Sequence, residues 1–119
     1  MKYILLVHHN EDNFARLPEV EQRKMREESV ALANQIHANG QYLDAAPLHP
    51  TGMTISVRVR DGEPLITDGP FVETREQLGG YFLVEVANLD EAIGIAARVP
   101  GARLGAVEIR PVMHLPGLP

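Results

Sequence analysis

Tyr81-Phe82-Leu83-Val84-Glu85-Val86 is an almost continuous apolar run, and it leads directly into Ala87-Asn88-Leu89-Asp90-Glu91. The first run is rich in strand-forming residues and short, so it predicts a buried strand. Asn88 followed three residues later by Glu91 matches the capping box at the start of a helix. This helix is expected to end at Pro100-Gly101 and to bury a stripe of Leu89, Ala92, Ile93, Ala96 and Ala97.

The same order of strand and helix occurs at the start of the chain. Met1 to His8 contains five consecutive apolar residues, which predict a second strand that is covered on both faces. Proline is tolerated at the first position of a helix and glycine favours its end. A helix is therefore expected from about Pro18 to Asn39, with Gly40 as the stop. Its predicted buried side comprises Met25, Leu32, Ala33 and Ile36.

The residues between these two units predict an inserted hairpin. Thr54 to Arg60 alternates apolar and polar residues, as in a strand with one apolar face. Asp61-Gly62 is a hairpin turn signal because both residue types tolerate positive φ, and Pro64 to Thr67 is the expected return strand. The other predicted elements are a weak strand from Gln41 to Ala46, a single helical turn from Glu73 to Leu78, a last strand from Ala106 to Met113 and a loose tail from about residue 114.

Together these elements predict one α+β domain over residues 1–119. Their order is that of the two split βαβ halves of a ferredoxin-like sandwich, with the hairpin inserted between them. Two helices cover only one face of such a sheet, yet two of its strands are apolar on both faces. A second copy of the chain is the simplest cover, so a two-fold homodimer is expected. A compact domain of this length has a radius of gyration of roughly 13–14 Å.

Composition narrows the class of protein. The 119 residues are 45% apolar and include no cysteine, which excludes collagen, coiled-coil and disordered chains as well as disulfides and thiolate metal sites. The net charge of -5 disfavours nucleic acid, and no apolar run is long enough to cross a membrane. The first residues lack a signal-peptide pattern, so a cytoplasmic protein is expected. Gly79-Gly80 lacks the residues of a phosphate loop, and no cofactor is expected.

One long motif carries a family resemblance. The stretch Thr67-Asp68-Gly69-Pro70-Phe71-Val72-Glu73-Thr74-Arg75-Glu76-Gln77-Leu78-Gly79-Gly80-Tyr81 resembles the signature of the DGPF proteins, a branch of the YCII-related family. The likeness continues through Leu89 to Ile93 and Glu108 to Val112, so it covers essentially the whole chain. The resemblance implies a dimeric α/β barrel. It assigns no reaction to most members, and some are discussed as companions of extracytoplasmic-function sigma factors.

A related branch of the family carries a His on its first helix, proposed to pair with an Asp, and some relatives eliminate chloride from ring-derived diols. In this sequence that position falls at or near Ser29, and the only His of the helix is His37, two turns later. The pair of His and Asp proposed for that branch is therefore not assigned to this sequence. The resemblance leaves two functions open. One is binding of a small oxygenated metabolite with cofactor-independent lyase or isomerase chemistry, and the other is a non-catalytic regulatory module acting with a protein such as a sigma factor.

Asp68 is the candidate catalytic residue. A turn at the end of a short strand can present its carboxylate to a cleft near the dimer interface, where it acts as general acid or base. The structural alternative is a turn residue whose side chain accepts N–H bonds around Gly69. Ser29 is expected to donate to a helical carbonyl rather than to act as a nucleophile, because no His lies near it.

The residues predicted to bind the substrate share access to the same cleft. Arg58 is the candidate anion-binding group, with a solvated arginine as the alternative. His8 and His9 are adjacent on a strand, so they point to opposite faces, cannot share a metal ion, and only one can face the cleft. The other predicted site residues are Ser56 as an accessory donor, Phe71 as cleft wall or core, His49, and Glu73 and Glu76 as a second carboxylate or as solvated acids.

Overall fold

The computed structural model describes residues 1–119 as six strands and three helices, with 3-10 turns at Thr51–Met53 and Pro100–Arg103. None of the helices combines the length and apolarity needed to cross a membrane. In chain order the strands and helices are β1 (Lys2–His9), α1 (Glu11–Ala15), α2 (Glu19–Ala38), β2 (Tyr42–Pro47), β3 (Ile55–Arg60), β4 (Glu63–Asp68), β5 (Gln77–Glu85), α3 (Leu89–Arg98) and β6 (Ala106–Pro111).

The main sheet has four antiparallel strands in the order β2-β5-β1-β6. With α2 and α3 as the connections, this order fits the predicted ferredoxin-like α+β fold. The second sheet is the hairpin formed by β3 and β4, and the single chain forms no closed barrel. The central strands β1 and β5 are the longest, and both were predicted from their apolar runs.

The hydrophobic core lies between one face of the main sheet and the helices α2 and α3. Leu32 and Ile36 of α2 are buried as predicted. The stripe of α3 differs from the prediction, because Leu89, Ile93 and Ala97 are exposed while Ile95 is buried. Spacings of three and four residues place Ala92, Ile95, Ala96 and Val99 on one face. The core cluster comprises Tyr3, Leu5, Val7, Leu32, Ile36, Phe82, Val84, Val86, Ala92, Ile95, Ala96 and Val99.

The other face of the main sheet, called the open face below, has no helix over it. Alternation along β1 and β5 places Ile4, Leu6 and Leu83 there, and each is only half-buried. Charged and polar residues flank this apolar stripe on the neighbouring positions. They are Lys2, His8, Asp44, Tyr81, Glu85, Glu108 and Arg110.

The hairpin stands apart from this core. Its turn has positive φ at both predicted residues, 51° at Asp61 and 77° at Gly62. Every residue of β4 is exposed, and in β3 only Ser56 is half-buried. The radius of gyration is 16.2 Å, larger than expected for a compact domain of this length, because the hairpin projects from the body.

One further local prediction was wrong, and one helix was missed. Residues 73–78 form no helical turn, because β5 already begins at Gln77 and pairs with β1. The register between β1 and β5 shifts at Val7 and His8, which leaves Gly79 without a partner in β1. The close packing predicted for the glycine pair is present, since a Cβ at Gly80 would lie 2.9 Å from the Ala46 carbonyl oxygen. The short helix α1 was not predicted, although Asn10 caps it by accepting a hydrogen bond from the Asn13 N–H at 2.8 Å.

Candidate functional site

A cleft of about 1170 Å³ lies between the end of β1, the segment that follows β2, the hairpin and the segment before β5. It is lined by all five side chains predicted to bind a substrate, which come from four separate parts of the chain. A smaller hollow of about 410 Å³ on the outer side of α2 contains none of them. The predicted residues in the cleft are His8, His49, Ser56, Arg58 and Phe71.

Asp68 does not line this cleft. It is the last residue of β4 and pairs directly with Ile55, so it lies on the hairpin face opposite to that of Ser56. Its carboxylate accepts no hydrogen bond. The turn is instead held by Ser56, whose Oγ donates to the Gly69 carbonyl at 2.7 Å, and by the Gly69 N–H, which donates to the Thr54 carbonyl at 2.7 Å. Ser56 therefore takes the anchoring role that the turn alternative gave to Asp68.

Arg58 and Phe71 are both accessible from the cleft. Arg58 is exposed and makes no ion pair and no side-chain hydrogen bond, so its five N–H donors are available. Its neighbour Arg60 lies on the same hairpin face but outside the cleft lining, and donates from Nη1 to the Val59 carbonyl at 2.9 Å. Phe71 is 74% exposed, which excludes the core alternative and makes it an outer wall of the cleft.

His8 and His9 lie on opposite faces of β1, as their adjacency predicts. His8 lies on the open face and in the cleft, with Nε2 3.4 Å from a carboxylate oxygen of Glu108. His9 lies on the core face, with its ring centroid 5.5 Å from that of Phe14. Burial lowers the pKa of His9, and the nearby negative charges of Glu11 and Glu76 oppose this shift only in part. No group of three or more His, Asp or Glu side chains is arranged to hold a metal ion.

A contact that the sequence did not reveal holds one wall of the cleft. The carboxylate of Glu11, in α1, accepts hydrogen bonds from the Thr51 N–H at 3.1 Å and from the Thr51 hydroxyl. The Glu11 N–H in turn donates to the Gln77 side chain at 3.0 Å. These bonds connect α1 to the turn before β3 and to the start of β5. The signal that could have found α1 is Asn10 as helix cap, followed by two acidic residues.

Tyr81 and Asp44 form a second polar pair on the open face. The Tyr81 hydroxyl donates to the Asp44 carboxylate at 2.6 Å, and this hydrogen bond raises the pKa of Tyr81. Tyr81 and Asp44 are 37 positions apart in the sequence and come together only because their strands are neighbours in the sheet. Ser29 behaves as predicted, since its hydroxyl donates to the Met25 carbonyl at 3.0 Å. Glu73 and Glu76 are exposed and line the cleft.

Comparison with known proteins bears on the whole chain. The family model described as the YCII-related domain matches residues 1–116. An uncharacterised protein of Rhizobium meliloti (strain 1021) is similar to this chain, with 36% identity over 121 residues. That similarity covers 98% of this chain and 97% of the Rhizobium protein, so the two have essentially the same length and domain content.

Proposed function

The chain belongs to the YCII-related family, and we propose that it binds a small, oxygenated, anionic metabolite in the cleft and acts on it by cofactor-independent acid–base chemistry. One observation supports this most: side chains of different chemistry, from four parts of the chain, converge on one cleft. Imidazole, hydroxyl, guanidinium and phenyl groups together supply the proton transfer, hydrogen bonding, charge and apolar wall of a small-molecule site. The expectation of a ring-derived metabolite rests on the family resemblance alone.

Arg58 is the group proposed to hold the anion. A guanidinium without a protein partner is free to bind both oxygens of one carboxylate, which fixes the orientation of the ligand as well as its charge. Phe71 offers a ring face at the mouth of the same cleft, and Ser56 offers a hydroxyl oxygen as acceptor, because its proton is already donated to Gly69. An aromatic or cyclic carboxylate fits this set of groups.

Within the cleft, the geometry favours His8 over Asp68 as the group that moves a proton. Imidazole is the side chain best suited to proton transfer near neutral pH, and Glu108 is placed to orient the ring of His8. Asp68 stays a prediction, since its carboxylate can reach a ligand only from the opposite hairpin face. The variants His8→Gln and Asp68→Asn, assayed on any substrate found, separate the two assignments: loss of turnover in His8→Gln with turnover kept in Asp68→Asn supports His8.

Binding is tested first with benzoate and its neutral analogue benzamide as probes, using ligand-observed NMR. We expect benzoate to bind the wild type and the Arg60→Gln control, and to bind the Arg58→Gln variant about tenfold more weakly, because a bidentate charged contact is lost. Benzamide is expected to bind weakly and equally to all three proteins. Equal binding of benzoate to both variants would remove Arg58 from the proposal, and no binding to any of the three would count against the cleft as an anion site.

We also propose that the working unit is a two-fold homodimer that buries the open face. Ile4, Leu6 and Leu83 are apolar yet only half-buried in the single chain, and no element of the chain covers them. Sedimentation equilibrium is expected to give a dimer at low micromolar concentration. The variant Leu6→Glu should weaken the dimer, whereas Val30→Glu, an equally apolar-to-acidic change at an exposed position of α2, should not. A stable wild-type monomer would overturn the dimer.

The alternative function is a non-catalytic module that acts with another protein, such as a sigma factor. The observation that favours it is the run of exposed apolar residues along the hairpin, which is typical of a partner-binding surface. The two functions separate in a paired experiment that screens carboxylates against the protein and tests a purified extracytoplasmic-function sigma factor for binding. Carboxylate binding that depends on Arg58 supports the metabolite proposal, while sigma-factor binding without any carboxylate binding supports the alternative.

A further inference from the structure

The hairpin has one face that is almost wholly apolar. Directly paired residues of an antiparallel hairpin point to the same side, and Val57 pairs with Ile66 while Val59 pairs with Pro64. Ile55 lies on the same face and pairs with Asp68, which is the one charged residue of this face. The four branched aliphatic side chains of this face are between 58% and 67% exposed. The opposite face carries Ser56, Arg58, Arg60, Glu63, Leu65 and Thr67.

This apolar face has no cover within the chain. A two-stranded hairpin is marginal in water unless it packs against something else. Exposed strands with a flat apolar face also invite uncontrolled pairing, and natural proteins avoid them. The four aliphatic side chains leave roughly 300–400 Å² of apolar surface uncovered, counting on the order of 100 Å² per side chain. A contiguous apolar patch of this size is often functional in a soluble protein.

We propose that the apolar face of the hairpin packs against a second copy of the chain, so that the partner supplies the missing wall of the cleft. This inference rests on the dimer and the cleft of the proposed function and assigns a further surface to both. Ile55 and Val57 line the cleft as well as the apolar face. A partner surface that covers them also closes the cleft, and each site is then complete only in the dimer.

Dimensions and area favour a second copy as the occupant. Each hairpin strand has six residues and is therefore about 20 Å long, close to the width of a four-stranded sheet at roughly 4.8 Å per strand. The open face offers an apolar stripe, formed by Ile4, Leu6 and Leu83, onto which an apolar face can pack. A two-fold axis uses both hairpins, which together bury about 600–800 Å². The open faces supply the rest of the roughly 1,200–2,000 Å² of a stable interface.

The chain has no cysteine, so a single introduced thiol gives a clean test. Val57→Cys places the thiol on the apolar face, and Arg60→Cys places it on the opposite face as a matched exposed control. Reaction with the thiol reagent DTNB is followed while sedimentation on the same samples gives the fraction of dimer. We expect the thiol at position 57 to react at least about tenfold more slowly in the dimer than in the dissociated protein, and the thiol at position 60 to react equally in both.

Three other outcomes overturn the inference, and they differ from one another. A dimer in which the thiol at position 57 reacts at the free rate leaves the dimer standing but removes the hairpin from it. A monomer at every concentration overturns both this inference and the proposed dimer, while binding of benzoate through Arg58 is judged separately. Protection at position 57 by a purified sigma factor but not by dimer formation assigns the face to another protein.

A second pair of variants guards against misfolding of the thiol variants. Ile66→Glu puts a charge into the apolar face, and Thr67→Glu puts the same charge on the neighbouring residue of the opposite face. We expect the dissociation constant of the dimer to rise at least about tenfold in Ile66→Glu and to change little in Thr67→Glu, with unchanged circular dichroism in both. Equal dissociation constants for the two variants overturn the inference.

Discussion

The main sheet and the hairpin both contain strands rich in branched apolar residues, but these residues are buried on one face of the main sheet and exposed in the hairpin. Val57 and Val59 are the apolar residues of an alternating strand, while Leu5 and Val84 belong to unbroken apolar runs. Both hairpin valines are 61% exposed, whereas Leu5 and Val84 are fully buried. The difference is that α2 and α3 lie over one face of the main sheet and no helix lies over the hairpin. An apolar pattern therefore predicts that a strand forms and which residues share a face, but what covers that face is a property of the neighbouring elements.

The largest expected effect separates the two regions by the same substitution. Leu5→Ala removes a fully buried side chain from the centre of the core and should lower the free energy of unfolding by about 2–5 kcal/mol. Leu65→Ala, on the polar face of the hairpin and 48% exposed, should change it by less than about 0.5 kcal/mol. Urea titrations of both variants, followed by circular dichroism, measure the difference. Similar losses in the two variants would mean that the hairpin is part of the cooperative core.

Replacing glycines by alanine also distinguishes the main sheet from the hairpin, because the loss of stability has a different physical origin in each region. Gly80→Ala places a Cβ against the backbone of β2, 2.9 Å from the Ala46 carbonyl oxygen, and should cost about 1–3 kcal/mol through overpacking. Gly62→Ala meets open space and costs about 1 kcal/mol through its positive φ alone. As a control, Gly94→Ala in α3 meets open space in a helix and should stabilise by about 0.5–1 kcal/mol. Thermal melts that rank the three variants otherwise would contradict these origins.

The anchor of the hairpin turn is expected to have a local effect. Ser56→Ala removes the hydroxyl that donates to Gly69 and should weaken the base of the hairpin by about 1 kcal/mol. Hydrogen exchange measured by mass spectrometry should accelerate in residues 51–72 and stay unchanged in the main sheet. The matched change Ser29→Ala, which removes a bond to a helical carbonyl, should leave exchange unchanged throughout. Faster exchange across the whole chain of the Ser56→Ala variant would contradict the separation of the two regions.

The smallest expected effect concerns the pH dependence of stability at the end of β1, where His9 packs beside Phe14. Burial lowers the pKa of His9 below its ordinary value of 6.5, so in acid the unfolded chain binds more protons than the folded chain. The contribution of His9 to stability is therefore complete above pH 6.5 and decreases as the pH falls through 6.5 toward the lowered pKa. Urea titrations between pH 5 and 8 should show a weaker pH dependence for His9→Gln than for wild type. The exposed-position control His49→Gln should keep the wild-type dependence, and a His9→Gln curve identical to wild type would refute the effect.

Much of the fold could be predicted because its long elements have one dominant pattern. The apolar runs of β1 and β5, the stop at Gly40 and the turn at Asp61-Gly62 were all correct. The buried stripe of α3 was partly wrong because Ala and Ile residues occur on more than one side of that helix, so periodicity alone did not single out Ile95. The helix α1 has five residues, too few for any periodic signal.

For the candidate site, the sequence could predict only the type of a residue and the strand face on which it lies. Residue type and alternation put Ser56 and Arg58 on one strand face and His8 and His9 on opposite faces, and His8, Ser56 and Arg58 line the cleft. The face on which Asp68 lies could not be predicted, because it depends on the register of the hairpin, which pairs Asp68 with Ile55. The bond between Glu11 and Thr51 joins residues 40 positions apart and depends on the helix that the pattern did not reveal.

The strand pairing also sets the order in which the chain can fold as it leaves the ribosome. Leu5 pairs with Phe82 on one side and with Ile109 on the other, so β1 has no partner until β5 has been synthesised and lacks its second partner until nearly the whole chain is made. The hairpin joins its strands through a two-residue turn and can close within microseconds, whereas the residues between β4 and β6 take a few seconds to translate. Newly made chains on one polysome therefore form this hairpin, which is marginally stable by itself, before the main sheet exists. We expect early encounters between such neighbouring chains to favour assembly during synthesis over assembly from finished chains.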